Sequence, residues 1–302
     1  MIVEVGTGGT GELPGTPGEL HGRATRRIEN EHCWAEFLVS GGPRIVGLGL
    51  VGGPNLFCET PDASWDGGYG KFELVGGHRL WIAPESGACS YPDSTGLTAS
   101  AVPGGIRLTG GFQPPVGIRK AIEVRMSPDA ASLTLRHSVA NEGKTPLELA
   151  PWAITQFRLG GVAIVPLPVP IRTHVVTPNR TIALWPYTSL SDERISIGDK
   201  VLTVSARAGY KTKVGCLSHS GVAAYLLDGV LFTKRFDPMV GSVHTDFGTN
   251  VQLYCDENNI ELESLGALVT LEPGETAFHD ELWELRQVEG NVDVEALADL
   301  LR

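Results

Sequence analysis

From His32 onward, short apolar or alternating runs recur between clusters of turn residues. CWAEFLV and RIVGLGLV are separated by Gly41-Gly42-Pro43 and followed by Gly52-Gly53-Pro54-Asn55, a pattern that predicts two strands and their bounding turns. SAVPGGIRLTGGF places two more strands around Pro103-Gly104-Gly105. Between Lys120 and Phe157, AIEVRM, SLTLRHSVAN and LELAPWAITQF alternate or run apolar, with SPDA and EGKTP between them. Similar strands are expected at KVLTVSA, KVGCLSH, VAAYLLDG, VLFTKRF and ALVTLEPGE. Meanders with turns at spacings of about ten residues indicate a sandwich of antiparallel sheets. Only VDVEALADLL has helical spacing, which predicts a short surface helix within residues 290–302. Residues 1–25, rich in Gly, Pro and Thr, read as an irregular lead-in. No shift in composition marks a second domain, so the expectation is one all-β domain over 1–302.

Composition supports the strand reading. Glycine and proline number 38 and 20 among 302 residues, well above the usual share, and both residues interrupt helices and serve turns. Hydrophobic residues make up 42%, enough for a full core and too many for a disordered chain. The net charge of −11 makes a poor partner for a phosphate backbone, so no nucleic-acid partner is expected. No apolar run approaches the ~18 residues of a membrane span, so no membrane partner is expected either. The opening MIVEVGTGGTGELPG lacks the basic start and apolar centre of a secretory signal. Cys33, Cys58, Cys89, Cys216 and Cys255 are scattered without CxxC spacing, the pattern of reduced buried thiols in a cytoplasmic protein.

Some apparent motifs fail on their surroundings. GxGxxG occurs at Gly6–Gly11 and again at Gly47–Gly52, followed by Glu-Leu-Pro-Gly and by Gly-Pro-Asn. Neither continuation can open the helix that a dinucleotide site requires, so both are read as turns. The eight histidines never sit at close ligand spacing, and no metal site is expected.

Other segments carry candidate chemistry. GGHRLWIAPE brings His78, Arg79, Trp81 and Glu85 into a short span. On a strand His78 and Leu80 share one face, Arg79 and Trp81 the other. The segment is either a strand with an ordinary surface face or part of a sugar site, where aromatic platforms lie beside planar hydrogen-bonding groups. In NNIELESLG, Glu261 and Glu263 share a strand face, opposite Ile260, Leu262 and Ser264. Two neighbouring carboxylates repel, and if buried one is held protonated to higher pH, as a general base near neutrality needs. Two solvated glutamates on an edge strand fit the pattern equally. Trp152 in APWAITQF and Trp185 in ALWPYT are core residues or platforms. Lys234 and Arg235 in LFTKRF fall on opposite strand faces, so one of them turns inward or into a cleft.

Taken in order, these segments resemble the galactose mutarotase-like superfamily, the aldose 1-epimerase relatives, over roughly Cys33 to Val288. The likeness rests on RI…GGPNLF, GGHRLWIAPE, LTLRHSVANEGKTPLELAPW, PNR…LWPYT, LFTKRF and ELESLGALVTLEPGE…HDELW, in that order. It implies a large antiparallel β-supersandwich and a cofactor-free reaction on a sugar or sugar phosphate. In that family a glutamate takes the proton of the anomeric hydroxyl and a histidine protonates the ring oxygen, while a second histidine and an arginine hold hydroxyls. By position, Glu263 matches the base with Glu261 as its substitute, and His78 matches the holding histidine with Arg79 beside it. The family's acid falls near Ala150-Pro151-Trp152, where this chain has no histidine; His137 and His174 are the alternatives. The resemblance thus leaves an anomer-converting isomerase, or a sugar-binding protein that has lost the acid. It also implies a groove shared by His78 and Glu263, one sugar ring apart. Trp152 and one of Lys234 and Arg235 should border that groove, and a bulge should turn Arg79 into it.

Overall fold

The computed structural model describes residues 12–169, 177–290 and 293–301. Among them, two large sheets of eleven and ten strands face one another, with a separate hairpin of Glu59–Asp66 and Lys71–Gly76. Their strands pair antiparallel. This is a large antiparallel β-supersandwich.

The first sheet runs Thr16–Leu20, Arg23–Glu29, Cys33–Leu38, Ile45–Leu50, His78–Ala83, Leu147–Phe157, Ile260–Leu265, Val251–Cys255, Thr212–Cys216 and Ile182–Leu184, with Val269–Leu271 beside Leu147–Phe157. The second is centred on Val230–Phe236, Thr276–Gln287, Ser132–Asn141 and Ile118–Met126. Alternation explains how they meet. Along Thr276–Gln287, Ala277, His279, Glu281, Trp283 and Leu285 are buried, while Phe278, Asp280 and Glu284 face out. Between the sheets Phe57, Phe157, Phe232 and Trp283 form a buried aromatic cluster, with Trp283 standing edge-on to Phe57 and Phe232 at centroid distances of 5.9 and 5.3 Å.

One expectation is corrected. Residues 16–20 and 23–29 are strands, where the sequence predicts an irregular lead-in up to residue 25; Ile28 on the latter joins the core despite three arginines on the same strand. The C-terminal helix, Val294–Leu301, is present as expected, with one side buried. Leu297, Ala298 and Leu301 are buried with Ile164, Val222 and Leu231 in a small second cluster, the burial that an i, i+4 apolar stripe demands.

The second glycine motif behaves as expected: Ile45–Leu50 is a strand followed by a turn at Val51-Gly52, with no helix. The first, Gly6–Gly11, lies outside the described residues. All five cysteines are buried and unpaired. No described helix is long and apolar enough to cross a membrane.

Candidate functional site

The site lies on the face of the first sheet that points away from the second, and strand register assembles it. In the sequence GGHRLW, Gly76 and Gly77 both have positive φ, 98° and 69°. A Cβ on either would collide with a carbonyl oxygen, that of Cys58 or of Ile45. The pair lets the chain turn tightly into strand His78–Ala83. Arg79 then pairs with Ile154, and Ile154 with Glu263. One row along, Gln156 pairs with Glu261, Glu261 with Tyr254, and Tyr254 with Lys213. Paired residues in a sheet share a face, so Arg79, Trp81, Trp152, Glu261, Glu263 and Lys213 all emerge together.

Over them opens a cavity of about 390 Å³, walled by Trp65, Trp81, Trp152, Trp185, Tyr187 and Tyr254. That is within the range of small-ligand sites. The polar lining includes Arg79, Glu85, Glu261, Lys211 and Lys213. Arg79 is buried, and its Nη2 donates to Glu261 Oε1 at 2.9 Å. Its guanidinium carbon sits 4.5 Å from the Trp81 ring centroid, while Nε and Nη1 have no partner. Those two nitrogens carry three of the guanidinium's five fixed N–H donors, an open demand for acceptors. Glu261 keeps 12% of its side chain exposed to the cavity.

Glu263 lies one layer lower, with no exposure at all. Its Oε2 accepts from Trp152 Nε1 at 2.7 Å and from Lys213 Nζ at 2.9 Å; its Oε1 has no partner. Burial pushes its carboxyl up to about 7, helped by the Glu261 charge and opposed by Lys213 and the Trp152 hydrogen bond. Lys213 itself sits between two indoles, with Nζ 4.6 Å from the Trp152 centroid and 4.8 Å from that of Trp185. Burial also raises the Tyr187 hydroxyl pKa, as do the charges of Glu263, Glu85 and Glu261.

The structure therefore brings together Arg79, Trp81, Glu85, Trp152 and Glu261 around one cavity, with Glu263 beneath its floor. His78 is not among them. It is fully buried on the opposite face, where Nδ1 meets Thr155 Oγ1 at 2.9 Å and Nε2 meets His137 Nε2 at 2.7 Å. The alternation of the strand was right and the assignment of its faces reversed: Arg79 needs no bulge to reach the cavity, and His78 and Glu263 share no groove. His137 lies between the sheets as well, and His174 is outside the described residues.

Neither member of the cationic pair faces the cavity. Lys234 is fully buried between the sheets, 3.1 Å from Glu281 and donating to the Leu262 carbonyl. Arg235 is on the outer face of the second sheet, paired with Glu284 at 3.3 Å. It borders a second cavity of about 540 Å³. There Arg136 and Arg125 are already spent on exposed pairs with Asp280 and Glu123, and Phe236 is the single aromatic among the described lining residues. The cation that does meet Glu263 is Lys213. Its signal in the sequence was weak: a lysine in an otherwise apolar strand, KVGC, whose partner carboxylate lies fifty positions on.

His78, His137 and Glu281 place three metal-ligand atoms within 4.8 Å of one another. Their hydrogen bonds close without an ion. One assignment satisfies every atom: Thr155 donates to His78, His78 Nε2 to His137 Nε2, and His137 Nδ1 to the His279 carbonyl, 2.8 Å away. Burial keeps both rings neutral, moving His137 down to about 4 and His78 well below its usual value. Glu281 accepts from Ser264 and Trp283 and is neutralised by Lys234. A divalent ion beside that ammonium would carry uncompensated charge into a dry core, so this donor set does not suit a metal.

No family model matches the sequence, and no curated protein matches it. Solved structures do match in fold. A TPR-domain containing protein of Parabacteroides distasonis superposes with a TM-score of 0.61 at 14% identity, over 90% of this chain and 48% of that one; the chain thus spans about half of that protein. A "putative aldose 1-epimerase" of Escherichia coli K12 gives 0.57 at 12% identity, over 87% and 99%. A galactose mutarotase-like protein of Lactobacillus casei gives 0.54 at 14% identity, over 87% and 100%.

Proposed function

We propose that the protein binds a sugar or sugar phosphate in the aromatic cavity and interconverts its anomers without a cofactor, a carboxylate of the Glu261–Glu263 pair taking the anomeric proton. One observation carries this reading. A buried arginine with three unpartnered N–H groups, on Nε and Nη1, stands beside a carboxylate inside a ring of tryptophans and tyrosines. Aromatic faces accept the C–H surface of a sugar ring, the guanidinium fork suits adjacent hydroxyls or a phosphate, and the carboxylate accepts a hydroxyl proton. Glu261 is the member that meets the cavity; its Oε1 is held by Arg79, which leaves Oε2 to receive the proton. Glu263 below supplies a second carboxyl poised near neutrality, where proton exchange is efficient. The fold shared with the epimerase-like proteins is consistent with this use of the site.

Polarimetry on freshly dissolved α-anomers of several aldoses and their phosphates tests the reading. Rotation should relax faster than in buffer for at least one of them, and Glu261→Gln should remove the acceleration while calorimetry still detects binding. Relaxation at the buffer rate for every sugar would exclude conversion.

A second reading is favoured by a specific feature. No histidine lines the cavity among the described residues, and Glu263 is closed off from it. A sugar-binding protein without the epimerase acid would show calorimetric binding and no conversion. Absence of binding at millimolar sugar would remove both readings.

A further inference from the structure

We infer that Lys213 is the proton donor of this site, delivering a proton to the ring oxygen of the bound sugar, a role that no histidine among the described residues lining the cavity fills. The inference rests on the sugar-converting reading above and adds to it the identity of the acid.

Three observations converge on this lysine. It lines the cavity while its ammonium is bonded to Glu263 at 2.9 Å, so it touches both the space for a ligand and the buried carboxyl. The partners of Glu263 are the Trp152 indole and Lys213. An indole N–H is a donor that does not exchange its proton in such a step, which leaves Lys213 as the route between Glu263 and the cavity. Finally, Trp152 and Trp185 bracket the ammonium at 4.6 and 4.8 Å, contacts that fix a flexible side chain. A general acid has to be aimed in this way before reaction.

The step balances within the site. Lys213 Nζ gives a proton to the ring oxygen as the bond from that oxygen to the anomeric carbon breaks, its electron pair going to the oxygen. The anomeric O–H proton passes to Glu261 Oε2, and the pair it leaves forms the aldehyde carbonyl. After rotation of the aldehyde the flow reverses: Glu261 returns its proton to the carbonyl oxygen while the new ring hydroxyl gives its proton back to the Lys213 amine. Glu263 stays in place as a positioning residue, its charge steadying the ammonium.

The test compares wild type with Lys213→Arg, Lys213→Ala and the double variant Lys213→Met/Glu263→Gln, which removes both charges and so avoids a buried unpaired carboxylate. Anomer relaxation is read by polarimetry and sugar binding by calorimetry. Conversion should fall by about 10²–10⁴-fold in every variant, the usual worth of a general acid, with binding retained. Lys213→Arg keeps the charge but holds its proton too tightly to give it up, so it should stay slow. Added methylammonium should restore part of the rate in Lys213→Ala. Wild-type-like conversion in the double variant, or in Lys213→Arg, would overturn the inference while leaving the function standing. A wild-type protein inert on all sugars would overturn the function, and the inference with it.

Discussion

At the scale of single residues, the site is governed by what burial does to charge. Glu261 and Glu263 are two positions apart on one strand and differ by one layer of depth, 12% exposed against none. That layer separates a carboxylate open to ligand from one whose proton affinity is set by the protein. For Glu263 the folded-state carboxyl titrates near 7 and its reference value is 4.5. Between those values the native state holds more protons than the unfolded chain, so the stability tied to this group falls as pH rises from about 4.5 to about 7. Urea denaturation of wild type and Glu263→Gln across that range should show it. The stability difference, wild type minus variant, should decline through the window and flatten above it. A difference that is constant or rises with pH would mean that Lys213 holds Glu263 ionised throughout.

At the scale of elements, the decisive feature is the entry into strand His78–Ala83. Gly76 and Gly77 take positive φ where the chain passes against the Cys58 and Ile45 carbonyls. The next residues therefore start in a fixed register, and that register sends Arg79 and Trp81 to the cavity and His78 to the core. Gly77→Ala should destabilise the protein by about 1–3 kcal/mol through backbone strain alone, with more from the clash. It should also weaken the proposed sugar binding by displacing Arg79. Denaturant midpoint and calorimetry read the two effects. A variant as stable as wild type would show that the glycine is not needed for the turn.

At the scale of the whole molecule, the unusual feature is a polar network held between the two sheets. His78, His137, His279, Ser264, Glu281 and Lys234 are all buried there, beside Trp283, whose ring stands 4.8 Å from that of His78. Burial opposes the charge on Glu281, but Lys234 and the His279 side chain hold its carboxyl well below the ordinary range. The network ties strands Val230–Phe236 and Thr276–Gln287 of one sheet to Ile260–Leu265 of the other, through the Lys234 bond to the Leu262 carbonyl and the Ser264 bond to Glu281. Lys234→Met should leave a buried carboxylate without its cation and cost about 3–5 kcal/mol. Lys234→Met/Glu281→Gln should recover part of that loss. Urea denaturation of the single and double variants gives the coupling, and purely additive losses would show that the two charges act independently.

Most strands were readable because apolar or alternating runs bounded by turn residues are a local property: SLTLRHSVAN alternates over its first half, while VLFTKRF and the Glu261–Glu263 strand are buried almost throughout. The carboxylate pair, Arg79 and the tryptophans could be named for the same reason, since their residue types stand out against apolar neighbours. What alternation leaves undetermined is which face turns toward the other sheet. His78 and Arg79 were separated correctly and assigned to the wrong sides, because that choice depends on which strands lie alongside; of the Lys234–Arg235 pair one does turn inward, but toward Glu281 between the sheets rather than toward the cavity. Lys213 was invisible for a related reason: it becomes part of the site only when strand Thr212–Cys216 pairs with Val251–Cys255 and that strand pairs with Ile260–Leu265. The sequence by itself determined the strands, the all-β class and the candidate carboxylates, because each follows from short-range patterning of apolar and polar groups. Only the tertiary structure decided which charges meet and which are buried, because pairing across long sequence separations sets the distances and the dielectric that electrostatics depends on.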